Sequence, residues 1–487
     1  MIEHRKPMVR IARVVIEALT PLSVSTGTPD GVFDAGVMTD ANGLPAIPAS
    51  SLAGVLRHLW RERYGESATD ELFGFQREKD AGKSDVSLSW AVLLDSRQRP
   101  VEGLLLGEEG ERIENDPILA SAAALSDDPV FRNRVRLTHK GAAAHRGKFD
   151  RSVVPAGHRF AFEIAMEGGT DEDWNNLLTL LEHPGFRLGG GTRAGLGKLT
   201  CRRLHARSFD LQKPEDARAY AQLSVSVGNP SKLEAVALPD KSSAQTDWLC
   251  GTLKLNASGL WRIGQGTPDV ETQGKPADFL PVTEPRIQWS DVQGTARGAA
   301  KGRQLLVPAS SIKGALAHRF RFHAHRLAGR WANDETSGIE NLESPEVDAL
   351  FGVVAAKDQG QAGCLYLDDV FLDPEEHIRQ RVMHNSIDRF TGGVRDRVLF
   401  EEESLLGGEF EVPIALDRTR LDRATATDEG LERIRQALAL AVQDLLEGRL
   451  ALGSRTTSGN GFFKGTIEGP LAGWLDGSES RKDANDE

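Results

Sequence analysis

The phrase IPASSLAGVLRHLW, which begins at Ile47, returns as VPASSIKGALAHRF at Val307, with seven of fourteen letters identical. Other echoes flank it in the same order. GTPD precedes each phrase (Gly27–Asp30 and Gly266–Asp269), and LFG follows each (Leu72–Gly74 and Leu350–Gly352). The block from Leu137 to Ile164 lines up with that from Ile387 to Ile414, and GGGTRAGLGKL (Gly189–Leu199) lines up with GSRTTSGNGFFKG (Gly453–Gly465). Five blocks recurring in one order mark a fused duplication, and internal repetition constrains a fold more than composition does. A chain of 487 residues also exceeds what one core of ~250–300 residues usually holds.

Each copy carries the same succession of signals. A β-branched run (Val9–Ala18; Gly251–Ala257) reads as a strand. The PASS phrase opens a helix, with Ser50 or Ser51 as its expected N-cap and Leu52, Val55, Leu56 and Leu59 at helical spacing. VSLSWAVLL and CLYLDDVFL read as strands. A long hairpin, a second amphipathic helix (Asp171–His183; Asp428–Glu447), a glycine turn and a last strand complete the unit. This order predicts an α+β fold of two tandem ferredoxin-like or RRM-like domains, each with a central thumb-like β-hairpin insertion. The expected limits are residues 1–210 for the first domain, 211–247 for a polar linker, 248–470 for the second domain and 471–487 for a disordered tail.

The net charge of −12 argues against a nucleic-acid partner when taken as a sum. The distribution argues otherwise, because basic residues gather in a few segments while acids crowd EEGERIEND, EEES and the C-terminal stretch. No apolar run approaches the ~20 residues of a membrane helix, so no membrane partner is expected. The N-terminal stretch reads as a first strand, not a signal peptide. Three scattered cysteines without metal-ligand spacing suit a reducing, cytoplasmic setting.

Three elements could carry nucleic-acid chemistry. A helix start with Ser50, Ser51, Ser310 and Ser311 offers free N–H groups and hydroxyls to a phosphate, with Arg57 behind it and Lys313 strengthening the second copy; the first has Ala53 there. The glycine loops let backbone approach a ligand closely and supply Arg193, Lys198 and Arg455. They fail the P-loop and GxGxxG templates and precede a strand, so they are no nucleotide fingerprint. The hairpins place His145, Arg146 and Lys148, or Arg389 and Arg395, beside phenylalanines near glycine-bearing tips, which suits backbone contact with base stacking. The plainer readings are N-capping, a tight turn and a solvated loop. Among the acids, Asp34 is the one not explained as a turn former. No catalytic triad order, HExxH or CxxC site is present.

These blocks in this order resemble the RAMP superfamily of CRISPR effector complexes, and each half is similar to the backbone subunit that lines the guide RNA in type III complexes. The resemblance implies that the chain binds crRNA and complementary target RNA beside other subunits of such a complex. It implies that the hairpin acts as a thumb that kinks the guide–target duplex. It also implies that an Asp in the loop before the PASS phrase cuts target RNA with Mg²⁺ or Mn²⁺. Asp34 lies at that place and would be both the catalytic residue and the metal ligand. In the second copy, whose loop is about 21 residues longer, Asp278 or Glu284 would be the counterpart. Two alternatives stand beside this endoribonuclease: a purely structural crRNA-binding subunit, and a tandem ferredoxin-like protein that binds a metabolite.

Overall fold

The computed structural model describes residues 6–25, 36–78, 80–138, 141–238, 247–264, 266, 275–292, 295–331, 344–353, 360–425 and 427–478. The first half builds an antiparallel sheet around β1 (Met8–Ala18), which is buried on both faces, its charged Arg10, Arg13 and Glu17 included. After the PASS helix α1 (Ala49–Phe73) come the short strands β2 (Val86–Leu88) and β3 (Val92–Leu93). The thumb hairpin follows as β4 (Phe131–Leu137) and β5 (Ala143–Ser152). Then come β6 (Arg159–Glu167), α2 (Asp171–Thr179) and β7 (Leu199–Asp210). The sheet order β7-β1-β6-β2, with helices after the first and third strands, is the ferredoxin-like arrangement.

Part of the expected polar linker is folded. A helix, α3 (Pro214–Ala221), and a short strand, β8 (Glu234–Ala235), fold back onto the edge strand β7. The cause is apolar cover: Val9, Ile11 and Phe209 on the outer face of the sheet pack under Ala219, Leu223 and Leu233.

The second half repeats the plan. Its sheet runs β12-β16-β9-β17, built from β9 (Trp248–Ala257), β12 (Leu365–Leu367), β16 (Glu409–Asp417) and β17 (Phe463–Glu468). Between these lie a hairpin of β10 (Thr283–Val292) and β11 (Thr295–Val307), the PASS helix α4 (Ala309–Leu327), and β13 (Val370–Leu372). The second thumb is β14 (Ile378–Ile387) with β15 (Val394–Leu406), and α5 (Asp428–Leu446) follows β16. Both thumbs carry a bulge at the same place, between Val135 and Leu137 and between Asn385 and Ile387. Each half has its own hydrophobic cluster, one around Ile16, Leu52, Phe162 and Leu177, the other around Leu255, Leu316, Val412 and Leu438.

One further expectation is corrected. The last helix, α6 (Pro470–Leu475), buries Leu471, Trp474 and Leu475 against α5, so apolar burial holds part of the expected tail in the fold. The extra residues of the second pre-PASS loop include the β10–β11 hairpin, which reaches back over the first half. There Ile287 donates its N–H to Ala156 (2.9 Å) and the Trp289 indole donates to Gly157 (2.7 Å). Arg159 stacks 4.0 Å from the Trp289 ring.

Candidate nucleic-acid interface

The helix starts come first. Neither PASS serine is an N-cap. Pro48 and Pro308 hold the cap positions in extended backbone, and their carbonyls accept the N–H of Ser51 and of Ser311, each at 3.0 Å. Proline's fixed φ suits that boundary, which pushes the serines into the first turn. The two starts then diverge. At α4, the Ala309 N–H donates to Asp369 Oδ1 at 2.8 Å, so a protein carboxylate already sits on that helix start. The corresponding strand-end residue in the first half is Trp90, 47% exposed, and Ser50 beside it is exposed.

The glycine loops share one backbone. Gly191, Gly195 and Gly197 have φ of 77°, 107° and 79°; Arg455, Gly459 and Gly461 have 56°, 92° and 80°. A Cβ at Gly197 would strike the Leu188 carbonyl, and one at Gly461 the Leu452 carbonyl, which fixes glycine at both places. Their surroundings differ. The first loop is inserted into the second half. Arg193 donates to the Gly363 carbonyl at 2.7 Å, and its guanidinium lies 5.1 Å from the Tyr366 ring centre. Arg187 and Lys198 hold Asp368 at 2.5 and 2.6 Å. Burial works against this carboxylate, yet the two cations bring it below the usual carboxylate range. Lys313 donates to the carbonyls of Arg193 (2.9 Å) and Leu365 (2.6 Å). Burial, then Arg193, pushes its ammonium down to about 7.

Three of the residues expected to meet RNA, Arg193, Lys198 and Lys313, therefore build the joint between halves. Glu284 belongs there too: it is 1% exposed, paired with Arg132 across the joint, and burial keeps its carboxyl above the usual range. A carboxylate so enclosed does not reach a phosphodiester. Asp278 is exposed and accepts the Glu401 N–H at 2.8 Å, fastening its loop to the base of the second thumb. Arg57 pairs with Asp70 at 3.4 Å, and Arg455 lies 3.6 Å from the buried Glu402. Ser310 and Ser311 are half-buried at the α4 start.

The thumbs are held at their bases, and their outer parts reach into solvent. His145, Arg146, Lys148, Arg389 and Arg395 are exposed, and among the described residues none has a carboxylate partner. Phe149 is 53% exposed and Phe390, at the tip of the second thumb, 99%. Phe400 is half-buried against His384. Acids lie on the second thumb as well, where Asp396 is exposed and Glu402 and Glu403 are paired. Glu409, Glu411 and Glu468 line the outer face of the second sheet around Lys254, while Glu402 and Glu403 neutralise Arg262 and Arg379.

Sequence reading missed Arg132, Arg134, Arg151, Asp368 and Asp369. A signal was present: in FRNRVRL, Arg132 and Arg134 alternate at strand period and so share one face. Asp34 lies outside the described residues. Among the described residues no group of three or more His, Cys, Asp or Glu side chains could hold a metal ion.

No described helix is long and apolar enough to cross a membrane. No curated protein matches the chain. The RAMP superfamily profile matches residues 15–200 and 298–464, one region in each half. With the duplicated ferredoxin-like plan and both thumbs in place, the chain belongs to the RAMP superfamily of CRISPR-associated RNA-binding proteins.

Proposed function

We propose that the chain is a guide-RNA-binding backbone subunit of a type III CRISPR effector complex, which holds crRNA and positions complementary target RNA. The observation that carries this reading is the pair of thumbs. They leave equivalent points of the two halves, bulge at equivalent residues, and expose cations together with Phe149 and Phe390 instead of packing them. An aromatic ring that stays in water on a basic finger contributes nothing to a core, and it suits stacking or wedging at bases. The net negative charge does not oppose this, because the sheet-face acids stand apart from the thumb cations and the second thumb's Glu402 and Glu403 are paired with Arg262 and Arg379.

The proposal extends to cleavage of the paired target at Asp34, with dependence on Mg²⁺ or Mn²⁺. The test is the assembled complex carrying Asp34→Ala, incubated with complementary RNA with and without chelator. Loss of one cut site with RNA binding intact supports the nuclease. Cutting that persists at every site shows Asp34 to be a loop residue and leaves the architectural role.

A further inference from the structure

Three arginines share one face of the first thumb's base. Arg132 is satisfied by Glu284 and by Asp369, the latter at 2.9 Å. Arg134 and Arg151 are not: among the described residues, neither has a carboxylate within ion-pair distance. Both lie against the glycine loop. Arg134 donates to the Ala194 carbonyl at 3.1 Å, and a Cβ placed on Gly191 would come 3.2 Å from its guanidinium. A Cβ on Gly190 would strike the Arg151 guanidinium. Two adjacent glycines thus make room for two guanidiniums on one backbone surface. Burial, and then Arg151, push Arg134 down to about 10, against the opposing pull of Asp369.

The same place in the second half is filled. The duplication sets Ser152 opposite Glu402, and Glu402 is 1% exposed. Its carboxylate lies 3.2 Å from Arg262, 3.4 Å from His384 and 3.6 Å from Arg455, and accepts the Ser404 hydroxyl at 2.8 Å. One half surrounds a carboxylate of its own with cations; in the other, among the described residues, Arg134 and Arg151 have no carboxylate at ion-pair distance.

We infer that Arg134, Arg151 and the backbone of Gly189–Gly191 form a seat for one phosphate of the bound RNA strand, and that the second half has no open counterpart because Glu402 occupies it. The guanidinium fork matches a phosphate's oxygens, and the missing side chains at Gly190 and Gly191 give the two guanidiniums room to lie on the loop. The inference rests on the RNA-binding reading above and adds an asymmetry to it. The two halves grip the strand by different means.

The test compares Arg134→Gln/Arg151→Gln with Arg455→Gln in the full chain, titrated with guide-length single-stranded RNA across a salt series. The double variant is expected to bind about tenfold or more weakly, with a salt slope smaller by about 0.7, the loss of one phosphate contact on a single strand. Arg455→Gln is expected to keep the parental slope. Equal losses from the two variants, or no loss from the first, overturn the inference. Arg151→Lys guards against misfolding: it keeps the charge and loses the fork, so intermediate affinity is expected. Pyrophosphate separates failure of the seat from failure of the RNA reading. Its thermal protection of the parent, absent in the double variant, supports the seat even if RNA does not bind, and equal protection of both contradicts it.

Discussion

The carboxylate of Asp369, in the second half, lies 2.9 Å from the guanidinium of Arg132, in the first. Asp369 also accepts the first N–H of α4, so one buried acid joins a helix start to the opposite half. Asp369→Ala leaves Arg132 with Glu284 alone and uncovers the helix start. Removing one member of a buried pair typically costs about 3–5 kcal/mol. The expected result is a loss of that order in urea unfolding, with Asp369→Asn losing less because its side-chain oxygen can still cap Ala309.

The two glycine loops offer a contrast between equivalent residues. Gly195 has φ of 107° and faces Asp369 and Ala309, whereas Gly459 has φ of 92° and meets nothing within 4 Å. Gly459→Ala is expected to cost about 1–2 kcal/mol, the backbone penalty alone. Gly195→Ala adds a clash within the joint and is expected to cost distinctly more. Paired unfolding curves decide it; equal costs would show that the joint does not depend on that approach.

Much of this was legible in the sequence. The repeated PASS, LFG and glycine blocks gave the duplication, the strand order and the thumbs, because each is a local signal of turn, cap or period. The joint was not legible. Arg187 and Asp368 are 181 positions apart, and nothing local says which charge of one copy meets which of the other. Arg193, Lys198 and Lys313 have the residue types of a phosphate site, and a buried joint between protein halves uses the same chemistry. The serine caps were misread because Pro48 and Pro308 already end the extended backbone.

Lys313 titrates where its unfolded form does not. Its folded value is lowered to about 7 against an ordinary value near ~10.4, so between those limits the unfolded chain binds more protons. Stability from this group therefore rises as pH climbs from about 7 toward about 10, and the penalty of a buried ammonium is full below 7. The stability of the parent relative to Lys313→Met is expected to increase across that range. A difference that is constant with pH would show that the ammonium stays charged in the fold.

Phe390 is 99% exposed, so Phe390→Ala should change stability by no more than about 0.5 kcal/mol. If its ring stacks on bases, loss of about 1–3 kcal/mol in RNA binding follows. Unchanged binding would assign the second thumb a purely protein-facing role.

The size and presence of nucleic acid carried by the complex, purified through this chain, test the RNA-binding reading most directly. RNA of one discrete length, released only on denaturation, is the expected result. A complex that purifies with no bound RNA and does not take up added guide would contradict it.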